Sequence, residues 1–214
     1  MEDLSDYRKS YQKSELLETQ IPEDPLNLFQ RWFHEVKEFG GLEEVNAMTI
    51  ATLGADGFPK SRVVLLKKFT YEGYIFYTNF LSEKGKAIAE HPKVCLSFFW
   101  HNLERQVIIK GEAVQISEAE SDAYFSSRPE GSQLGAVVSP QSEVIASRDV
   151  LEQSLEKLTA EFDQKPIPRP KHWGGYLVKP VSVEFWQGRP NRLHDRIRYT
   201  IINEIDWKIE RLAP

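Results

Sequence analysis

The stretch Ala47-Met48-Thr49-Ile50-Ala51-Thr52-Leu53-Gly54-Ala55-Asp56-Gly57-Phe58-Pro59-Lys60-Ser61-Arg62-Val63-Val64-Leu65-Leu66-Lys67-Lys68-Phe69 decides the fold class of this chain. Ala47 to Leu53 reads as a strand, Gly54-Ala55-Asp56-Gly57 as a turn and Phe58 to Phe69 as a second strand, so the pair is a hairpin. Working outward, Tyr74 to Thr78, Lys93 to Trp100 and Arg105 to Ile116 read as further strands. One short helix, Ser82 to Glu90, interrupts them. Closely spaced strands with few helices between them predict an antiparallel barrel rather than a βαβ sheet. The class is mainly β with flanking helices (α+β).

The flanks fit this reading. Upstream, Asp24-Pro25 supplies an N-cap and a first helical residue, and Leu28, Phe29, Trp32, Phe33 and Val36 recur at helical spacing until Gly40-Gly41. Residues 1–20 are polar and irregular and are expected to form a flexible arm, leaving 21–214 as a single domain. Downstream, Ser117 and Glu120 form a capping box for a helix to about Ser127, and Ser147 to Phe162 is a longer helix. Gly175 to Val178, Ser182 to Trp186, Leu193 to Thr200 and Trp207 to Arg211 complete the strands.

Composition narrows the function. The chain has 214 residues, 41% hydrophobic and 28% charged, with a net charge of −5. That balance argues against nucleic acid or an anionic membrane as partner and leaves local basic clusters for small anions. The single cysteine, Cys95, excludes an internal disulfide and a cysteine zinc site, and its apolar neighbours suggest a buried thiol. No leader-like segment or spanning apolar stretch is apparent, so a cytoplasmic, soluble protein is expected. The five histidines show no metal-binding spacing, and no dinucleotide fingerprint, P-loop or nucleophile elbow is present. No metal is expected. Redox chemistry on an organic cofactor stays open, because the protein then supplies mainly position and charge.

Several constellations suit an anionic aromatic ligand. Arg192, His194 and Arg196 alternate in the expected last-but-one strand beside Trp186, so they share one face: a ligand wall or a charged strand edge. Arg62 and Lys67 bracket four apolar residues, and their odd spacing puts them on opposite faces unless the strand twists or bulges. They mark either a long ligand or two exposed strand ends. Tyr77-Thr78-Asn79 leads into Ser82-Glu83-Lys84 at a helix start, either an anion site or simple capping. Gln106 opens an apolar strand and needs a partner there. Tyr124 and Arg128, four apart, share a helix face near Ser132 and the Pro129-Glu130-Gly131 turn: a phosphate site or a dressed helix end.

These segments, with Asp24-Pro25-Leu26, Arg62-Val63-Val64-Leu65-Leu66-Lys67, Phe76-Tyr77-Thr78-Asn79, Leu103-Glu104-Arg105-Gln106-Val107, Ser127-Arg128-Pro129, Gln141-Ser142, Trp173-Gly174-Gly175, Glu184-Phe185-Trp186-Gln187-Gly188, Arg192-Leu193-His194-Asp195-Arg196 and Arg211-Leu212-Ala213-Pro214, closely resemble the pyridoxine (pyridoxamine) 5′-phosphate oxidase family. The resemblance runs from about residue 20 to the end. It implies an FMN-binding split β-barrel working as a homodimer, with FMN at the subunit interface. It implies oxidation of pyridoxamine 5′-phosphate and pyridoxine 5′-phosphate to pyridoxal 5′-phosphate, with O2 as acceptor, H2O2 as product and NH3 released from the amine.

The resemblance also assigns residues. FMN contacts would come from Arg62, Val63, Val64, Leu65, Leu66, Lys67, Tyr77, Thr78, Lys84, Gln106, Gln141, Ser142, Trp186 and Arg196. Lys67, Tyr124, Arg128 and Ser132 would hold the substrate phosphate. Arg192, Leu193 and His194 would lie over the pyridine ring, Arg192 and His194 as the catalytic pair. Arg8 and Tyr11 of the arm would close over the site. Two departures stand out: Glu83 occupies a position where many relatives carry Arg, and the arm is less basic than in some relatives. Other readings are a split-barrel protein that binds FMN or pyridoxal phosphate without turnover, and a flavin reductase. The substrate-side residues separate these from an oxidase.

Overall fold

The structure, a computed structural model, describes residues 2–214. Its frame is an antiparallel sheet of nine strands: β1 (Ala47–Leu53), β2 (Pro59–Leu65), β3 (Lys68–Thr70), β4 (Gly73–Asn79), β5 (Lys93–Trp100), β6 (Arg105–Gln115), β7 (Trp173–Gln187), β8 (Asp195–Ile202) and β9 (Asp206–Arg211). Five helices flank it: α1 (Pro25–Phe39), α2 (Glu83–Glu90), α3 (Glu118–Ser126), α4 (Glu130–Val138) and α5 (Arg148–Glu161).

Strand order explains the curl. The path runs β2-β1-β5-β6-β7-β4-β3, with β8 and then β9 added beside β7. Its two ends, β2 and β3, are separated in sequence only by Leu66-Lys67. The sheet must therefore bend until its ends meet, which makes a half-closed barrel. At the seam the chain changes partners: Leu65 pairs with Ala47 of β1, and Lys68 pairs with Ile75 of β4. The single strand expected over Phe58–Phe69 is thus two. Leu66 turns into the core at 3% exposure, and Asn46 holds both its N–H and its carbonyl.

Strand β7 is the spine. Its first half pairs with β4, its second with β8, and β6 runs beside both. The sequence suggests two strands here because Lys179-Pro180-Val181 looks like a break. The structure carries β7 through it with one extra residue, Val181, opposite the Lys110–Gly111 step. Such a bulge is where a strand tolerates proline. Gly111 is required there, since a Cβ would lie 2.4 Å from the Lys179 carbonyl oxygen.

Helix α1 fills the barrel from one side. Asp24 caps it by accepting from the Leu26 N–H at 2.7 Å, and Gly40 ends it at φ +74°. Phe29 is wholly buried, with Phe69, Tyr74 and Phe98 rings at 5.0–5.3 Å. Burying such a side chain contributes about 1.5–3 kcal/mol. Arg105, nearly buried, ties α1 to the sheet through Glu35 and through Gln187 at 2.9 Å. A second, smaller core of Phe125, Leu134, Ile167 and Trp173 seats α3 and α4. Helix α4 lies where the sequence suggests only a turn at Pro129-Glu130-Gly131. Its nine residues carry a single buried one, Leu134, so no apolar period announces it.

Within the segment expected to form the arm, residues 2–10 are exposed and the chain from Tyr11 onward touches the barrel. Leu16 is buried in the main core, and a 3-10 turn spans Glu18–Gln20. Strand β8 begins at Asp195, not Leu193. Pro190–Arg192 forms a 3-10 turn in which Asn191 and Arg192 have φ of +57° and +62°. Arg192, Leu193 and His194 are therefore loop residues, and the alternation that placed Arg192 and His194 on one strand face does not hold.

Candidate active site

A cavity of about 660 Å³ opens at the barrel seam. Val63, Val64 and Leu65 of β2, Lys67 of the seam, Tyr77 and Thr78 of β4, and Lys84 of α2 line one side. Tyr124, Arg128, Ser132, Gln141 and Trp173 line the other. The partner switch after Leu65 brings Lys67 here, so strand parity ceases to apply to the Arg62–Lys67 pair. Tyr77 and Tyr124 stack at 3.8 Å, with Trp173 parallel to both at 5.5 and 6.2 Å. Burial pushes the Tyr77 hydroxyl pKa up, with Tyr124 adding to the shift, so it stays a neutral donor.

Lys84 enters this cavity from the start of α2, where Ser82 is the N-cap. It is 8% exposed and donates to Thr78 Oγ1 at 2.9 Å, Gln141 Oε1 at 3.0 Å and Ser82 Oγ at 3.2 Å. None of these is a carboxylate. Burial, then the nearby Arg62 guanidinium, lowers its pKa from 10.5 to about 8. Glu83 does not fill the role: its carboxylate is gripped by Lys60 at 2.5 and 2.7 Å. Arg62 does not line the cavity. It stands behind Lys84, with one Nη donating to Thr52 Oγ1 and the Lys60 carbonyl.

Arg128 lies just beyond α3, its guanidinium 4.6 Å from the Trp173 ring centre. One of its Nη atoms is buried without a hydrogen-bond partner. A buried donor left unpaired costs about 1–3 kcal/mol, so the site suits an anion that would engage it. Ser132 sits in the first turn of α4, whose N-terminus favours negative charge. The cavity therefore presents a buried Lys84 and a half-buried Arg128, neither with a carboxylate partner, together with an aromatic stack. That donor set fits phosphorylated aromatic ligands. Ser142, at φ +76°, follows Gln141 but does not line the cavity, and Leu66 presents nothing to it.

The remaining residues gather elsewhere. Gln106, Trp186 and Arg196 are register partners in one row across β6, β7 and β8. Arg196 is held by Glu184 at 2.8 Å and by the Ala213 carbonyl. Beside this row a second cavity, about 670 Å³, is lined by Arg8, Tyr11, Arg189, Arg192 and His194. Tyr11 meets Trp186 edge-on at 5.7 Å, and His194 lies 4.6 Å from Trp186. His194 Nδ1 accepts from the Arg189 N–H at 3.1 Å, which assigns the proton of the neutral ring to Nε2. Burial and then Arg192 lower its pKa, so the neutral form is favoured.

Trp173 marks the first group and Trp186 the second, at opposite ends of the fifteen-residue β7. At ~3.3 Å per residue the strand contour between them is about 40 Å. One chain does not bring the two groups together. No sequence reading assigns a role to Trp173, which lines the first cavity; its neighbour Gly175, which leaves Tyr77 room, is the signal that marks it. Cys95 is half-buried, and burial pushes its thiol pKa up. Among the described residues no group of His, Cys, Asp and Glu is arranged to hold a metal, and no helix is long and apolar enough to cross a membrane.

Residues 33–161 match the family described as pyridoxamine 5′-phosphate oxidase, and residues 173–214 match the pyridoxine 5′-phosphate oxidase C-terminal dimerisation region. The chain belongs to the pyridoxamine 5′-phosphate oxidase family. A pyridoxine/pyridoxamine 5′-phosphate oxidase from Flavobacterium johnsoniae is 72% identical over the full length of both chains. One from Christiangramia forsetii is 56% identical over 99% of each. Among solved structures, PhzG from Burkholderia lata, in complex with tetrahydrophenazine-1-carboxylic acid, superposes with a TM-score of 0.87 at 29% identity. That match covers 95% of this chain and all of the other. A Nostoc punctiforme protein described as pyridoxamine 5′-phosphate oxidase-related and FMN-binding has a TM-score of 0.70 at 19% identity, over 88% and 96% of the chains, and shares the fold. Family membership makes this chain a split-barrel oxidoreductase. The match to the dimerisation region, which takes in β7 to β9, supports a homodimer.

Proposed function

We propose that this protein oxidises pyridoxamine 5′-phosphate and pyridoxine 5′-phosphate to pyridoxal 5′-phosphate, with FMN as cofactor. The observation that supports it most is the pair of uncompensated cations in the seam cavity, buried Lys84 and half-buried Arg128 with its unpaired buried Nη. Each suits one phosphate. Lys84, with Thr78, Gln141 and the Arg62 charge behind it, would hold that of FMN. Arg128, with Lys67, Tyr124 and Ser132, would hold that of the substrate. When bound, FMN would supply a hydride acceptor that O2 restores, giving H2O2, while water hydrolyses the oxidised amine and releases NH3.

The chain's own residues bind and orient. Charge-assisted contacts to a planar guanidinium fix direction as well as affinity. The stacked Tyr124, Tyr77 and Trp173 rings wall the cavity against water. Gln106, Trp186, Arg196, Arg192 and His194 lie too far along β7 to serve the same cavity of their own chain. In a symmetric dimer they would complete the partner's cavity, each subunit giving one half. His194, with Nδ1 occupied, has only Nε2 free for proton traffic. The fixed positive charge of Arg192 suits orienting the substrate ring.

The test is peroxide production by the purified flavoprotein on adding pyridoxine 5′-phosphate, with unphosphorylated pyridoxine as control. Peroxide from the phosphate ester alone is expected. A protein that binds FMN stoichiometrically yet yields no peroxide with either B6 phosphate would refute the oxidase reading.

A further inference from the structure

The loop before β6 carries a carboxylate that the site as described does not use. Glu104 has a side chain only 2% exposed, and all its recorded side-chain partners come from the N-terminal arm. Oε2 accepts from the backbone N–H groups of Gln12 at 2.9 Å and Lys13 at 3.1 Å. Oε1 pairs with Lys9 Nζ at 3.1 Å. Burial works against the charged form, and these arm donors outweigh it, holding the carboxyl below its ordinary pKa. The backbone of Glu104 adopts φ +57°, a conformation uncommon for a residue with a Cβ. Its carbonyl accepts from the Gly188 N–H at 2.8 Å. One residue thus joins the arm, the start of β6 that bears Gln106, and the end of β7 that bears Trp186.

Tyr11 sits between the arm contacts. A Cβ at Gly188 would lie 2.8 Å from the Tyr11 side chain, so the glycine admits the ring against the barrel. From there Tyr11 reaches Trp186 and His194. We propose that Glu104 is the anchor of the N-terminal arm and, through it, a positioning residue for the substrate side of the site, setting where Tyr11 and Arg8 stand over Trp186, Arg192 and His194. This rests on the oxidase reading for its kinetic consequence and on geometry alone for the anchoring.

Two readouts separate these. In the FMN-loaded enzyme, Glu104→Ala should speed tryptic cleavage after Lys9 and Lys13 at least about ten-fold, the scale of one hydrogen bond to a charged group. It should raise KM for pyridoxine 5′-phosphate by a similar factor and leave kcat and FMN Kd within about two-fold. Glu104→Gln, which keeps the shape and one acceptor, should fall between. Removing residues 2–13, which takes Arg8 and Tyr11 with it, should raise KM at least as much as Glu104→Ala does, and adding Glu104→Ala to the truncation should change nothing further, since Glu104 acts through the arm. Wild-type cleavage rates in Glu104→Ala, with Glu104→Gln the same, would overturn the anchor. A KM effect of Glu104→Ala that persists in full after arm removal would overturn the positioning role. Absence of turnover in the wild type would sink the oxidase reading while the cleavage result still decides the anchor.

Discussion

Replacing Lys84 by Met tests the chemistry of the seam cavity most directly. Lys84 is 8% exposed, donates only to neutral oxygens and has its pKa lowered from 10.5 to about 8. That depression corresponds to on the order of 3 kcal/mol against the charged form. Below pH 8 the ammonium is nevertheless charged, and a phosphate dianion beside it would recover the loss. Charge-assisted hydrogen bonds are worth about 1.5–3 kcal/mol, so Lys84→Met should weaken FMN binding roughly 10- to 150-fold at pH 7. The sign of the pH dependence follows from the same depression. Only protonated Lys84 binds phosphate well, so wild-type affinity should hold up to about pH 8 and fall above it, approaching ten-fold per pH unit. Apoprotein stability should move the other way. The unfolded chain keeps its lysine protonated up to 10.5, so the penalty for the buried charge is full below about pH 8 and is relieved as pH rises toward 10.5. Flavin fluorescence quenching on titrating apoprotein from pH 7 to 9.5 reads the affinity. Equal Kd for wild type and Lys84→Met, or a wild-type Kd flat across that range, would refute Lys84 as the phosphate ligand.

Arg128→Ala removes the unpaired buried Nη and should raise KM for pyridoxine 5′-phosphate by about 10-fold or more while sparing FMN affinity, measured by steady-state peroxide assay. Arg192→Leu should slow anaerobic flavin reduction by substrate ~10²-fold at saturation, as loss of an orienting contact does, with little change in FMN Kd. FMN should shift the monomer–dimer equilibrium toward dimer in a sedimentation dilution series, because a ligand shared by two subunits binds only the dimer; a monomer that binds FMN stoichiometrically counts against the shared site. Phe29→Ala should destabilise the fold by about 3–5 kcal/mol in denaturant titration, since Phe29 is wholly buried among aromatic rings.

Much of the architecture was legible because its signals are local. β1, β5 and the caps of α1, α2 and α3 lie where alternation, Asp24-Pro25, Ser82 and the Ser117–Glu120 box place them. The misreadings occur where tertiary demands override local pattern. The Leu65–Lys68 segment carries no Gly or Pro to mark a break, yet closing the barrel requires it to leave β1 for β4. Pro180 looks like a strand end, and becomes a bulge because β6 pairs on both sides of it. Helix α4 has only Leu134 to bury and so leaves no periodic trace.

The site shows the same division more sharply. Residue types suited to phosphate were readable at Lys84 and Arg128, but their lack of carboxylate partners was not, because that depends on Glu83 turning to Lys60 across 23 positions. The strand argument for Arg192 and His194 was wrong in mechanism, since Asn191 and Arg192 turn through positive φ and β8 starts only at Asp195. Both residues nevertheless share one cavity, because the tight turn folds Arg192 back toward His194 and the arm closes the other side. What no local pattern carried is the separation of the two groups along β7. Its length sets the seam cavity at Trp173 apart from the cationic loop beyond Trp186, which is why the proposed site draws on two subunits. On that proposal a symmetric homodimer would bring the Trp173 group of one subunit beside the Trp186 group of its partner.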